Sequence, residues 1–156
     1  MSIHHARDAA YDVVLLAHVL SALAGFGVVV VAGAYALALR RPGPPSAAVR
    51  RYYRPGANWA GRALFLVPVF GVALVAMSHG DWSYSQDWLG VGIALWVLAA
   101  LVAELVLWPA ERALQDGAGR VPAPPDLGRR CLAVATTAGA VAATLVAAAV
   151  VMVAKP

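Results

Sequence analysis

Four long apolar runs divide the chain, and the polar residues gather between them. The runs extend from Tyr11 to Leu39, Trp59 to Ser78, Trp88 to Trp108 and Cys131 to Ala154. Within the first, only Asp12 and His18 are strongly polar. Each run reaches the ~20 residues that a helix rising 1.5 Å per residue needs to cross about 30 Å of hydrocarbon. A β-barrel would need many segments of about 10 residues with alternating polarity, whereas these runs are apolar on every face. The pattern predicts an all-α, four-transmembrane-helix bundle with helices at about 11–39, 59–78, 88–114 and 130–154. The first is long enough to tilt or to project beyond the bilayer.

The breaks have clear causes. Arg40-Arg41-Pro42-Gly43-Pro44-Pro45 ends the first helix, because consecutive prolines remove donors and forbid helical continuation. His79-Gly80-Asp81-Trp82-Ser83 makes a short turn between helices two and three. Pro122-Ala123-Pro124-Pro125 separates helices three and four. Pro68 lies inside helix two, where it should leave the Leu64 carbonyl without its helical partner and kink the rod. The first apolar core far exceeds the 7–15 residues of a signal peptide and is read as a retained helix. Residues 1–156 form a single integral membrane domain.

Composition supports the same class. Of 156 residues 62% are hydrophobic and 13% charged, against about 45–50% and 25% in soluble domains. A water-soluble globule of this size could not hide so much apolar surface. The single cysteine, Cys131, excludes an intramolecular disulfide and any cysteine-based metal cluster. The net charge of +4 does not point to nucleic acid, because the cations cluster in the connections between apolar runs.

That clustering predicts orientation. Arg40, Arg41, Arg50, Arg51, Arg54 and Arg62 fall before helix two, and Arg112, Arg120, Arg129 and Arg130 fall after helix three. Only Arg7 and Lys155 lie on the opposite side, so ten cations face two. The positive-inside rule then places both termini outside and both arginine loops in the cytoplasm. Tyr11, Trp82, Tyr84 and Trp88 would mark the outer interface; Tyr35, Tyr52, Tyr53, Trp59 and Trp108 would mark the inner one.

Residues Arg50 to Leu114 carry Asn58-Trp59, Pro68 and Gly71, a Gly80-Asp81-Trp82 turn, Asp87-Trp88-Leu89 and Leu107-Trp108-Pro109-Ala110-Glu111-Arg112. With Leu16-Ala17-His18-Val19-Leu20 and Gly25 ahead of them, they resemble a family of bacterial four-helix integral membrane proteins, a domain of unknown function. The resemblance implies a topology and no activity. A more distant similarity, carried by His18 and Gly25, is to copper-resistance D-like membrane proteins and the membrane protoporphyrinogen oxidase that binds haem b. It implies a haem ligand at His18. Val28 to Val31 stand where those enzymes carry further basic and aromatic residues.

Three features are candidates for chemistry. His18 lies within the first span, where an imidazole can bond to a neighbouring helix, ligate a metal or haem, or carry a proton. Glu104 lies near the inner third of helix three, where an unpaired carboxylate costs about 2.5–3.5 kcal/mol. Arg62 begins helix two at a similar depth, so a structural Arg62–Glu104 ion pair is expected across the hairpin. Small residues spaced by four, Ala17, Ser21 and Gly25 in helix one and Ala135, Gly139, Ala143 and Ala147 in helix four, predict close helix packing. The Arg50-Arg51-Tyr52-Tyr53-Arg54 loop suits anionic headgroups as well as topology.

The expectation is a small, non-enzymatic accessory protein of the bacterial cytoplasmic membrane. It would pack with itself or with a larger membrane complex, without nucleic acid, metal or cofactor. Two rivals stand beside it: a haem-b-binding redox protein using His18, and a minor transporter or channel component using Glu104.

Overall fold

The computed structural model describes residues 2–54, 59–78, 86–118 and 124–154. The turn 79–83, Asn58, Arg120, Pro122, Ala123 and Lys155 lie outside the described residues. Every regular element described is helical, in the order α1 (Ser2–Leu39), α2 (Ala47–Tyr52), a 3-10 stretch (Trp59–Phe65), α3 (Leu66–Met77), α4 (Asp87–Val102), a π turn (Ala103–Leu107), α5 (Trp108–Ala118) and α6 (Leu127–Ala154). Among the described residues, four stretches are long and apolar enough to cross a membrane: Ala9–Leu39, Ala60–Met77, Asp87–Ala118 and Leu127–Ala154.

The helix ends follow from local chemistry. α1 closes with Arg41 N–H donating to the Ala38 carbonyl at 3.2 Å, a tightened last turn. Gly43 then takes φ +101°, a left-handed conformation that a residue without Cβ adopts freely. Ser46 caps α2, its hydroxyl accepting from Val49 N–H at 3.4 Å. At the start of α6, Arg130 Nε donates to Asp126 Oδ2 at 2.8 Å, and the Arg130 guanidinium also reaches the Ala113 carbonyl at 3.3 Å on α5. That hydrogen bond to Arg130 holds the Asp126 carboxyl below its usual range.

Two prolines reshape the middle spans. Ahead of Pro68 the chain winds as a 3-10 helix rather than a kinked α-helix. The Leu64 carbonyl, expected to lack a partner, instead accepts the Trp96 indole N–H from α4 at 3.2 Å. Pro109 has no N–H to give the turn above it. The helix widens there into a π turn, with Trp108 N–H donating to the Ala103 carbonyl. α5 then continues the rod to Ala118, beyond the expected end at 114.

α6 is the hub, packing against α1 on one side and α4 on the other, while α3 packs on α1. The densest core lies toward the arginine-loop end. There Val29 and Ala36 of α1 meet Ala99, Ala103, Leu107, Cys131, Val134 and Ala138, all at most 1% exposed. Small side chains let the backbones approach where water supplies no drive between helices. α3 is different, for none of its residues is buried.

Candidate functional site

The polar side chains collect in three places. Toward the end of the bundle where α3 closes at Met77, His18 of α1 points at α3. Its Nδ1 lies 2.9 Å from the Val67 carbonyl, and because a carbonyl only accepts, Nδ1 must carry the hydrogen. In the neutral tautomer compatible with this contact, the lone pair is on Nε2. Gly71 makes room: a methyl group there would sit 3.4 Å from His18 Cε1. One turn on, Ser21 is 8% exposed and donates to its own helix at the Ala17 carbonyl. Gly25 then lets α1 settle onto the 3-10 stretch, since a methyl group there would lie 3.1 Å from Leu64 Cα. Ser21 and Gly25 are therefore contact residues within the chain.

The second place joins the two middle spans. Arg62 Nη1 donates to Glu104 Oε1 at 2.8 Å, with the side chains 52% and 31% exposed. Arg62 Cζ also lies 6.0 Å from the Phe65 ring centre, and Phe65 meets Trp96 edge-on at 6.2 Å. The expected side-by-side hairpin is not the geometry, however. α3 rests on α1 and α4 on α6, and the middle spans meet through Arg62–Glu104, Phe65–Trp96 and the Trp96 bond to the Leu64 carbonyl. Being partly exposed rather than buried, the pair should couple modestly. We expect Arg62→Gln and Glu104→Gln each to destabilise, with the double mutant recovering about 0.5–1 kcal/mol relative to additivity. Denaturant titration of the four proteins in micelles checks this, and strict additivity would dismiss the pair as a stabilising contact.

The third place was not visible in the apolar pattern. α2 folds back against the bundle with Val49 and Tyr53 only 4% and 5% exposed. Tyr52 donates its hydroxyl to Glu111 Oε1 at 2.5 Å, and Glu111, on α5, is 2% exposed. Tyr35, Tyr52 and Tyr53 stack edge to face at 5.0 and 5.1 Å. Tyr53 and Trp108, expected as interfacial belt residues, are instead core. The signal that could have found Glu111 is its spacing, four after Leu107 and three before Leu114, on the buried stripe of α5.

Tyr53 Oη is buried with no hydrogen-bond partner among the described residues. Burial, and then the Glu111 charge and Cys131, push its ionisation well above the usual tyrosine range. A buried hydroxyl without an acceptor costs about 1–3 kcal/mol. Tyr53→Phe is therefore expected to raise stability by about 1 kcal/mol. The sign of the pH effect follows. Below the ordinary tyrosine pKa near 10, folded and unfolded chains both hold this proton. Above it the unfolded chain loses the proton first, so stability falls as pH rises toward the folded value. Thermal unfolding from neutral to strongly alkaline pH should show a fall that is smaller in Tyr53→Phe.

The small-residue row of α6 needs correction. Gly139 and Ala143 are exposed, and a methyl group at Gly139 would meet nothing within 4 Å. The buried stripe of α6 is Cys131, Val134, Ala138, Val141 and Ala148, and of the expected row only Ala135 packs on the core while Gly139, Ala143 and Ala147 are exposed.

Among the described residues, no three His, Cys, Asp or Glu side chains gather closely enough to hold a metal ion. Neither the curated proteins nor the solved structures contain a match to the chain. A family model does match, over residues 12–156, and it covers the His18 helix, the Arg62–Glu104 latch, the Tyr52–Glu111 contact and all of α6. The chain therefore belongs to the family described as predicted integral membrane protein DUF2269.

Proposed function

We propose that this integral membrane protein is a non-enzymatic accessory subunit of the bacterial cytoplasmic membrane, with both termini outside, packing with a second copy or a larger membrane complex. The observation that carries the reading is α3. Helix association within lipid depends on close van der Waals packing. α3 buries no residue, packs on α1, and leaves Leu66 and Val69 47% and 59% exposed. A partner helix beside α3 would supply the missing packing and cover the exposed Arg62–Glu104 latch. The Gly139–Ala143 row offers a second outward face of low relief.

Cross-linking in native membranes tests it. In a Cys131→Ser background, Val69→Cys is expected to give a species above monomer size, with Ala143→Cys reporting on the α6 face. Monomer alone from both positions would overturn the reading. Orientation has its own test, because a reporter fused after Pro156 should be active only on the outer face.

A haem-b-binding redox role is the second reading, favoured by the His18 geometry. A ring with Nδ1–H held by a backbone carbonyl and Nε2 free is how metal-ligating histidines are commonly oriented. The visible spectrum of the purified protein separates the two. The leading reading expects no Soret band, and a band lost in His18→Ala would establish the second. Glu104, already engaged by Arg62, carries no separate transport reading.

A further inference from the structure

We propose that the segment from Arg40 to Arg54 is a built binding site for the phosphate headgroups of anionic phospholipids. It follows directly on the apolar span Ala9–Leu39 and precedes the span beginning at Ala60, so it lies at the edge of the hydrocarbon. Within it, α2 is fixed from several directions. Ser46 caps its start, Val49 and Tyr53 are buried beneath it, Tyr52 is bonded to Glu111, and Tyr35 stacks on Tyr52. The backbone carrying Arg50, Arg51 and Arg54 is thus held against the bundle rather than free in solution.

The guanidinium groups on this frame are exposed and little used. Arg50 donates Nη1 to the Pro45 carbonyl at 2.5 Å, which leaves its remaining donors facing outward. The side chains of Arg40, Arg41, Arg51 and Arg54 are exposed and make no hydrogen bond or ion pair among the described residues. Two carboxylates are paired with other cations, Glu104 with Arg62 and Asp126 with Arg130, and Glu111 is buried under the Tyr52 hydroxyl. Asp116 on α5 is exposed, and the exposed Arg112 on the same helix offsets its charge.

Chemistry selects the occupant. A guanidinium offers paired N–H donors in a plane that matches two phosphate oxygens, whereas a lysine ammonium acts as a point charge. A phosphodiester headgroup carrying net negative charge satisfies both the fork and the unneutralised cations. A zwitterionic headgroup brings its own ammonium and satisfies them less well. Topology alone makes a different demand, because lysine and arginine serve equally as positive-inside signals.

That difference gives the experiment. The full chain is placed in phosphatidylcholine nanodiscs with either spin-labelled phosphatidylglycerol or spin-labelled phosphatidylcholine, and the motionally restricted fraction is read by electron spin resonance. Wild type is expected to favour phosphatidylglycerol by about an order of magnitude, since each cation near a negative leaflet adds roughly five-fold. Arg50→Lys/Arg51→Lys/Arg54→Lys should lose a large part of that preference while keeping charge, circular dichroism and melting behaviour. The corresponding glutamine triple should approach parity. Three results would overturn the proposal: no preference in wild type, a lysine triple as selective as wild type, or abolition of the preference by millimolar inorganic pyrophosphate. The last would reassign the site to free phosphate compounds. Nanodiscs present the same lipid on both faces and can hold a single chain, so neither orientation nor self-association enters the result.

Discussion

Gly25→Leu is expected to be among the most damaging single changes in the bundle. The site has no room on the side that matters, because a Cβ there already lies 3.1 Å from Leu64 Cα and 3.2 Å from Leu64 N. Those are backbone atoms of the 3-10 stretch and cannot rotate away. Leucine would force α1 and the second span apart, and overpacking of this kind typically costs about 1–3 kcal/mol, occasionally more. The separation would also strain the Trp96 bond to the Leu64 carbonyl and the His18 bond to the Val67 carbonyl, both anchored to the second span. Gly25→Ala should cost less, about 1 kcal/mol, since a shift of a few tenths of an ångström relieves it. Gly27 is the control, since a methyl group there meets nothing within 4 Å. Melting temperatures of Gly25→Leu, Gly25→Ala and Gly27→Ala in one detergent check the order. Equal stability of the two Gly25 variants would show that the helices do not depend on this approach.

Removing the carboxylate of Glu111 is expected to be of similar size. Glu111→Ala leaves a void in a site 2% exposed and takes the acceptor from Tyr52. Lost packing and the lost Tyr52 hydrogen bond together amount to about 3 kcal/mol. Tyr52→Phe removes only one donor and should cost about 1–2 kcal/mol. The double variant should cost less than the sum, because the two residues share one contact. Glu111→Gln, which keeps shape and an acceptor oxygen, should retain most of the stability. Additive losses would mean that α2 is held by its apolar anchors alone.

The spans themselves were legible because a lipid solvent imposes one coarse demand, about 20 apolar residues without charge, that needs no knowledge of partners. Neighbour relations were not legible for the same reason. Runs apolar on every face carry no stripe to say which side meets which helix, so α3 could be expected beside α4 when it lies on α1. Small-residue spacing announced that a close approach was possible, and at Gly25 α1 does meet the backbone of Leu64. At Gly139 and Ala143 the same spacing faces outward. Pro68 was read correctly as a disturbance, but its consequence depends on Trp96, far along the chain on another helix. Arg62 and Glu104 were brought together by expected depth, whereas Tyr52 and Glu111 were missed because one sits in a loop whose docking only the fold reveals.

The buried thiol of Cys131 has a practical consequence. It is the only cysteine in the chain and is fully covered at the arginine-loop end. An alkylating reagent can reach it only when that end opens, so the rate of modification measures breathing of the bundle in an intact membrane with no engineered label. Loosening α2 from α5 should hasten that clock, while changes around His18, at the far end of the first span, should leave it running at its native pace.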